Sequence, residues 1–361
     1  MLSGKRTRGF SLTRGFTLIE LLVVIAIIAL LVSILLPALQ GARREGWATK
    51  TASGARQVAL AVNTYGAQFR EQLPPSYVYG ASNNPEDFNW RVQDQQSNNP
   101  NPSFGYIHWS SMLFDGNNTN REAFQSPATP FGGAPATNPG TTQDAWDPSQ
   151  VSNTGGTSAS PSTTVDRQVP RCVFTGNAGL FPRNKFDPSQ PNRKNRLVRY
   201  GEVSDPSKTI LVTEFITTNG SWRALYRGNE SRAHRPITPL FNRASGASAG
   251  DQFYVNASNN LPQYAYPQLR NATGQTTNVL QPTRNVPDET IDGGSGLNGI
   301  NLIGRHHPPV RAEFGGTAHF AFLDGHVERM SAEESVERKL WGSKVWSVTG
   351  PNGVANNPEI P

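Results

Sequence analysis

One carboxylate stands out by where it lies. Glu20 follows Gly15-Phe16-Thr17-Leu18-Ile19 and heads the run LLVVIAIIALLVSILLP, so an acid opens a long apolar stretch. In lipid an ionised carboxylate is costly unless it is neutralised or paired. Thr17 offers one local answer, a capping box in which Glu20 reaches back to the cap's backbone N–H, and the positive end of the helix dipole favours the same position. A second set of chemistry-bearing side chains lies near the other end: His306, His307, His319, Asp324, His326 and Glu328. Their types suit zinc or a similar ion. However, adjacent histidines on an extended segment point to opposite sides, and no His-x-x-x-His or Cys-x-x-Cys spacing is present. Asp324 is explained by a turn. These residues are read as structural, with no metal; the alternative is a site built from Arg305-His306, Asp324 and His326. No Asp-x-Asp-x-Asp run supports calcium. Without a nucleophile elbow, phosphate loop or dinucleotide fingerprint, no cofactor and no enzymatic activity are expected.

Basic and aromatic residues alternate from Phe181-Pro182-Arg183-Asn184-Lys185-Phe186 through Arg193-Lys194-Asn195-Arg196 to Arg199-Tyr200. Such a patch could grip a phosphate backbone, but it serves equally as a solvated loop or a basic edge meeting an acidic neighbour. The net charge argues for restraint. Lys5, Arg6, Arg8 and Arg14 form an acid-free leader, and setting those four aside lowers the balance from +6 to +2. A nucleic-acid partner is therefore not expected. Cys172 is the one cysteine and cannot form an internal disulfide.

The elements that position these residues follow from length and pattern. The 361 residues allow two domains or one large elaborated one, with ample core. Charged residues are only 17%, while 34 Gly and 28 Pro make the chain loop-rich. That composition excludes a coiled coil, a disulfide-stapled mini-protein and a many-span membrane protein. Phe16 to Leu36 is 21 residues, which as a helix spans about 31 Å, the thickness of a bilayer core. A secretory signal would be shorter and would end in a small-x-small site. Residues 16–36 are thus read as one transmembrane helix. Arg43, Arg44 and Lys50 beyond it leave only a mild charge preference for a cytoplasmic amino terminus.

Past Pro37, Ala48, Ala52, Ala55, Ala59, Val62, Tyr65 and Phe69 recur at helical steps. The helix is expected to continue over 37–72 and to stop at Leu73-Pro74-Pro75. Residues 73–361 then form a loop-rich antiparallel β head. In it, residues 80–165 are read as long polar surface loops, with a strand over Phe104–Trp109 and another over Lys208–Ile216. A hairpin over 319–330 turns at Asp324-Gly325. Read as a two-residue loop, both turn residues take positive φ, and Phe322 faces Val327 while Phe320 faces Arg329. Ser331-Ala332-Glu333-Glu334 opens a short helix over 332–341 that Gly342 closes. The fold class is α+β.

The basic leader, Gly15-Phe16, Glu20 and the long apolar helix together resemble the type IV prepilins and type II secretion pseudopilins. An earlier Gly9-Phe10-Ser11-Leu12-Thr13 looks like the same motif but lacks the glutamate and the apolar run. The resemblance implies a pilin-like fold with a helix kink at Pro37, and cleavage by a prepilin peptidase between Gly15 and Phe16, with N-methylation of Phe16. It also implies that Glu20 pairs with the terminal amine of a neighbouring subunit during assembly. The partners so implied are that peptidase, other pilin or pseudopilin subunits and the bacterial inner membrane, with the head periplasmic or at the cell surface. The alternatives are a tethered binding protein or minor pilin that does not polymerise, and an anchored metal enzyme. The carboxyl-terminal half resembles a second bacterial family, of unknown function and common in planctomycetes, which joins a prepilin terminus to an H-x9-DG motif. Phe320-Ala321-Phe322-Leu323-Asp324-Gly325-His326-Val327 matches the end of that motif, Asp205–Glu214 looks like its central strand, and Leu73-Pro74-Pro75 like its helix end. The spacing departs, because Phe314 stands ten residues before Asp324 and His306 and His307 lie further upstream. The motif residues His306, His307, Asp324, Gly325 and His326 carry no assigned role.

Overall fold

The computed structural model describes residues 17–82, 90–95, 104–115, 119–148, 150–152, 154–182, 184, 186, 195–215, 236–237, 241–242, 264–267, 269, 273–275, 280, 299–311, 314–345 and 355–356. The chain divides into two compact units, Met1–Gly46 and Trp47–Pro361. The helix α1, Leu18–Gln68, begins in the first and ends in the second. In the first unit its apolar side chains are exposed all round, and the helix is long and apolar enough to cross a membrane. It runs on through Pro37.

In the second unit one stripe of α1 is buried: Ala48, Thr51, Gly54, Ala55, Val58, Ala59, Ala61, Val62, Tyr65 and Gly66. Steps of three and four put these on one face. The small residues permit a close approach. A Cβ on Gly54 would stand 2.6 Å from the Ala123 carbonyl oxygen, and Thr51 Oγ1 lies 2.6 Å from Ser126 Oγ. The helix ends at Gln68, earlier than the expected residue 72, because Arg70 and Glu71 take left-handed conformations before Leu73-Pro74-Pro75 is reached.

The head has short strands: β1 Tyr77–Tyr79, β2 Tyr106–His108, β3 Ala134–Pro135, β4 Arg171–Cys172, β5 Phe174–Gly176, β6 Ile210–Glu214, β7 Phe241–Asn242, β8 Tyr264–Ala265, β9 His307–Arg311, β10 Gly315–Phe322, β11 Val327–Met330, β12 Lys344–Val345 and β13 Ala355–Asn356. Two further α-helices among the described residues are α2, Trp109–Asp115, and α3, Ala332–Glu337. The principal sheet is antiparallel in the order β11-β10-β6-β5, with β9 on the first part of β10. Both of its faces are covered. Ile210, Ala318, Phe320, Phe322 and Met330 join Val336, Leu340 and Trp341 in one core. Leu211, Val212, Ala321 and Leu323 join the buried stripe of α1, Trp109, Phe124, Phe174 and Phe181 in the other. This is the α+β arrangement of a long helix packed on an antiparallel sheet.

The hairpin forms where expected, but its register is shifted by one. Ala321 faces Val327, Phe320 faces Glu328 and His319 faces Arg329. The reason is the turn. Gly325 has φ +93°, Asp324 is not among the positive-φ residues, and the Gly325 N–H donates to Phe322 O at 2.9 Å. That is a three-residue loop closed by a glycine bulge, rather than a two-residue loop with both positions left-handed. Phe320 and Phe322 still share a face. Ser331 caps α3 by accepting from Glu334 N–H at 3.1 Å. The helix closes through left-handed Lys339, with Leu340 N–H on Ser335 O, before Gly342 is reached.

The polar stretch after residue 80 is more deeply packed than its composition indicates. The expected strand at 104–109 is shorter, since Trp109 already begins α2. Trp109, Phe124 and Ala134 are core residues, while Thr137, Asn138, Gln150, Ser152 and Asp166 are buried polar ones. Hydrogen bonds make that burial affordable. Asp166 accepts from Tyr106 N–H at 2.8 Å, from Asn138 N–H at 3.0 Å and from Asn138 Nδ2 at 2.9 Å. Gln150 Nε2 donates to Ala136 O, and Trp146 Nε1 to Gly140 O.

Candidate functional site

At the amino terminus, Thr17 and Glu20 form the capping box that their spacing implies. Glu20 Oε2 accepts from Thr17 N–H at 2.9 Å and from its hydroxyl at 2.8 Å, while Glu20 N–H donates to Thr17 Oγ1 at 3.3 Å. Thr17 and Leu18–Leu36 are all exposed in the chain by itself. A helix apolar on every side needs lipid or other apolar helices around it. Glu20 therefore presents a carboxylate at the end of a surface that water does not favour. Gly15 and Phe16 lie outside the described residues, as do the leader and the second Gly-Phe pair.

In the head, strand pairing gathers three side chains that the sequence scatters. Thr317 faces His307 across β9 and β10, and His319 shares the face of Thr317, two residues on, so the two histidines are diagonal neighbours. Their ring centroids are 4.6 Å apart. On the other pairing Phe320 faces Thr213, which sets Glu214 beside His319. The result is a converging cluster. His307 Nε2 lies 3.0 and 3.1 Å from the two Glu214 oxygens. His319 Nδ1 is 2.8 Å from Glu214 Oε1, which also accepts the His319 backbone N–H at 2.8 Å. All three side chains are buried, with Glu214 at 0%, His307 at 1% and His319 at 4% relative exposure. Desolvation pushes the Glu214 carboxyl up, but the hydrogen bonds from His307 and His319 and the charge of neighbouring rings outweigh it. The group is held well below the usual carboxylate range.

His306 faces elsewhere. Its Nε2 is 3.1 Å from Phe215 O, and a carbonyl only accepts, so that nitrogen carries the proton. Burial lowers its pKa against the pull of Glu214. Glycines let these segments close up: a Cβ on Gly304 would meet His306 Nε2 at 2.6 Å, and one on Gly316 would meet His307 O at 2.4 Å.

The structure does not assemble Arg305-His306 with Asp324 and His326. Arg305 is buried, with Nη1 donating to Phe314 O. Asp324 and His326 pair with each other at the half-exposed hairpin tip, Oδ1 to Nδ1 at 2.6 Å, with Glu328 3.4 Å from His326 Nε2. His326 also stacks on Phe322 at 4.1 Å between ring centroids. Among the described residues, the group whose ligating atoms all lie within 4.8 Å is Glu214, His307 and His319. By sequence the histidines are candidates, whereas Glu214 falls inside the expected strand Lys208–Ile216 without a role. The available signal was an acid closing the apolar run Ile210-Leu211-Val212-Thr213.

The basic patch also changes character. Phe181 and Phe186 are buried core residues, and Arg196 pairs with Glu202 at 2.8 Å. These aromatics have no face to offer a base. Arg183, Lys185, Arg193 and Lys194 lie outside the described residues.

Comparison with known protein families finds the prokaryotic N-terminal methylation motif at residues 10–36. No curated protein and no solved structure matches the chain. The matched residues include Gly15, Phe16 and Glu20 and most of the apolar run, so the motif indicates a prepilin-peptidase substrate of the type IV pilin-like kind, consistent with anchoring in a membrane.

Proposed function

We propose that the chain is a pilin-like or pseudopilin structural subunit of a type II secretion or type IV pilus-like assembly, without enzymatic activity. Prepilin peptidase cuts between Gly15 and Phe16, Phe16 is N-methylated, and the membrane-spanning segment 16–36 anchors the chain in the inner membrane with its head periplasmic or at the cell surface. The observation that carries this reading is the methylation motif joined to a helix with apolar residues exposed on all sides and one acid at its head. Apolar helices bundle to hide that surface. Glu20 then neutralises the new terminal amine of a neighbouring copy, an attraction that low dielectric strengthens. Thr17 holds the carboxylate oriented toward the helix start, where such an amine arises.

Two measurements test the proposal. Intact mass and amino-terminal sequencing of the membrane-extracted protein should give a methylated Phe16 start; a chain beginning at Met1 or beyond Leu36 refutes the processing route. Sedimentable assemblies should form with the native chain and fail with Glu20→Ala, while processing continues. Detergent-stable monomers from an efficiently processed native chain would instead identify a tethered subunit that does not polymerise.

A further inference from the structure

We propose that Glu214, His307 and His319 bind a divalent transition-metal ion of the zinc class, which ties β6, β9 and β10 together inside the head. Glu214 is wholly buried, and a buried carboxylate is stable only when it is hydrogen-bonded, paired or coordinates a metal. What converges on it is a pair of imidazoles, each aiming a ring nitrogen at the carboxylate. One dication held by both nitrogen lone pairs and a carboxylate oxygen neutralises the acid with a single centre, in place of two shared protons.

The geometry needs little adjustment. Tetrahedral zinc with bonds of about 2.0–2.1 Å sets its ligand atoms about 3.3 Å apart. Here the nitrogen-to-oxygen separations are 2.8 and 3.0 Å, and all ligand atoms fall within 4.8 Å. Expansion by a few tenths of an ångström therefore opens the coordination sphere. Two imidazoles and one carboxylate form a donor set that zinc and its neighbours accept, whereas magnesium and calcium take mostly oxygen. The three ligands sit on strands of one sheet, so their positions are fixed by backbone pairing. The three side chains leave a fourth position for water. With ligand residues exposed by 4% at most, the ion lies inside the sheet and links its strands. His306 is not among the residues whose ligand atoms converge; its Nε2 donates to Phe215 O instead.

The test uses tag-free, full-length protein in detergent, stripped with chelator and then reloaded with Zn²⁺ or Co²⁺. The expected result is one equivalent retained after desalting, with a raised midpoint of thermal unfolding. Glu214→Gln and His307→Gln should each reduce metal affinity at least tenfold, whereas His326→Gln on the exposed hairpin should leave it unchanged. X-ray absorption of the loaded native protein should count two imidazoles and one carboxylate. That last readout holds even when a ligand variant does not fold. Failure of the native protein to retain zinc, retention that depends on His326, or a spectrum with fewer than two imidazoles overturns the proposal. None of these outcomes depends on processing at Gly15 or on assembly.

Discussion

His108 should make the head lose stability in mild acid, in a way one substitution can isolate. The side chain is buried beside Trp109, and Nδ1 accepts from the Ser110 backbone N–H at 3.2 Å and lies 2.6 Å from the Ser110 hydroxyl. That hydroxyl oxygen is committed as acceptor to Val169 N–H, so its proton goes to Nδ1. A proton on Nδ1 would cancel both bonds and place a charge in an apolar setting. Desolvation accordingly lowers the His108 pKa to about 3 from an ordinary 6.5. For a base depressed in the fold, the stabilising contribution is complete above the unfolded pKa. It is lost as pH falls from 6.5 toward 3, because the unfolded chain takes a proton that the fold refuses. At pH 4.5 the two-unit gap below 6.5 amounts to about 2–3 kcal/mol, at roughly 1.4 kcal/mol per unit. This figure hardly depends on the folded pKa so long as it stays below the working pH. The assay is urea denaturation followed by circular dichroism at several values between pH 7.5 and 4.5, for native protein and His108→Gln. At pH 7.5 the variant should be less stable by about 1–2 kcal/mol, for the lost buried hydrogen bonds. The gap should close and then reverse toward pH 4.5, because the native protein loses about 2–3 kcal/mol to the linked proton and the variant does not. A gap that stays constant across this range refutes the assignment.

Three further substitutions probe the packing. Gly54→Ala should lower head stability by about 1–3 kcal/mol, since the new methyl meets the Ala123 carbonyl and overpacking exceeds the gain in helix propensity. Gly46→Ala on the same helix meets nothing within 4 Å and should be neutral or stabilising by up to about 1 kcal/mol; thermal unfolding of the two variants compares them directly. Asp166→Asn should destabilise by about 1–3 kcal/mol, because both carboxylate oxygens accept from N–H groups and an amide must turn its own NH2 toward one of them. Loss of amide protection at Tyr106 and Asn138 in hydrogen exchange would locate that damage.

Legibility varied with the range of the interaction. The span, the capping box and the α1 stripe depend on residues a few positions apart, so spacing alone revealed them. Local chemistry also placed β6, Ile210–Glu214, within the expected strand Lys208–Ile216, whose last residue lies outside the described ones, and the hairpin at Asp324-Gly325. The hairpin register lay just out of reach. Asp-Gly is compatible with a two-residue or a three-residue loop, and the choice rests on packing. Leu323 is buried with Ala321 and Leu211 against α1, while Phe320 and Phe322 fill the opposite core.

The amino-acid order by itself determined an apolar helix with one acid at its head, because hydrophobicity and helical period act along the chain. It also carries the N-terminal methylation motif at residues 10–36. Only the tertiary structure decided that Glu214, more than ninety residues before His307, meets both His307 and His319. Strand pairing brings such residues together, and no spacing in one dimension records which strands will be neighbours. The same holds for the polar segment around Asp166, whose burial depends on donors supplied by Tyr106 and Asn138 from separate parts of the chain.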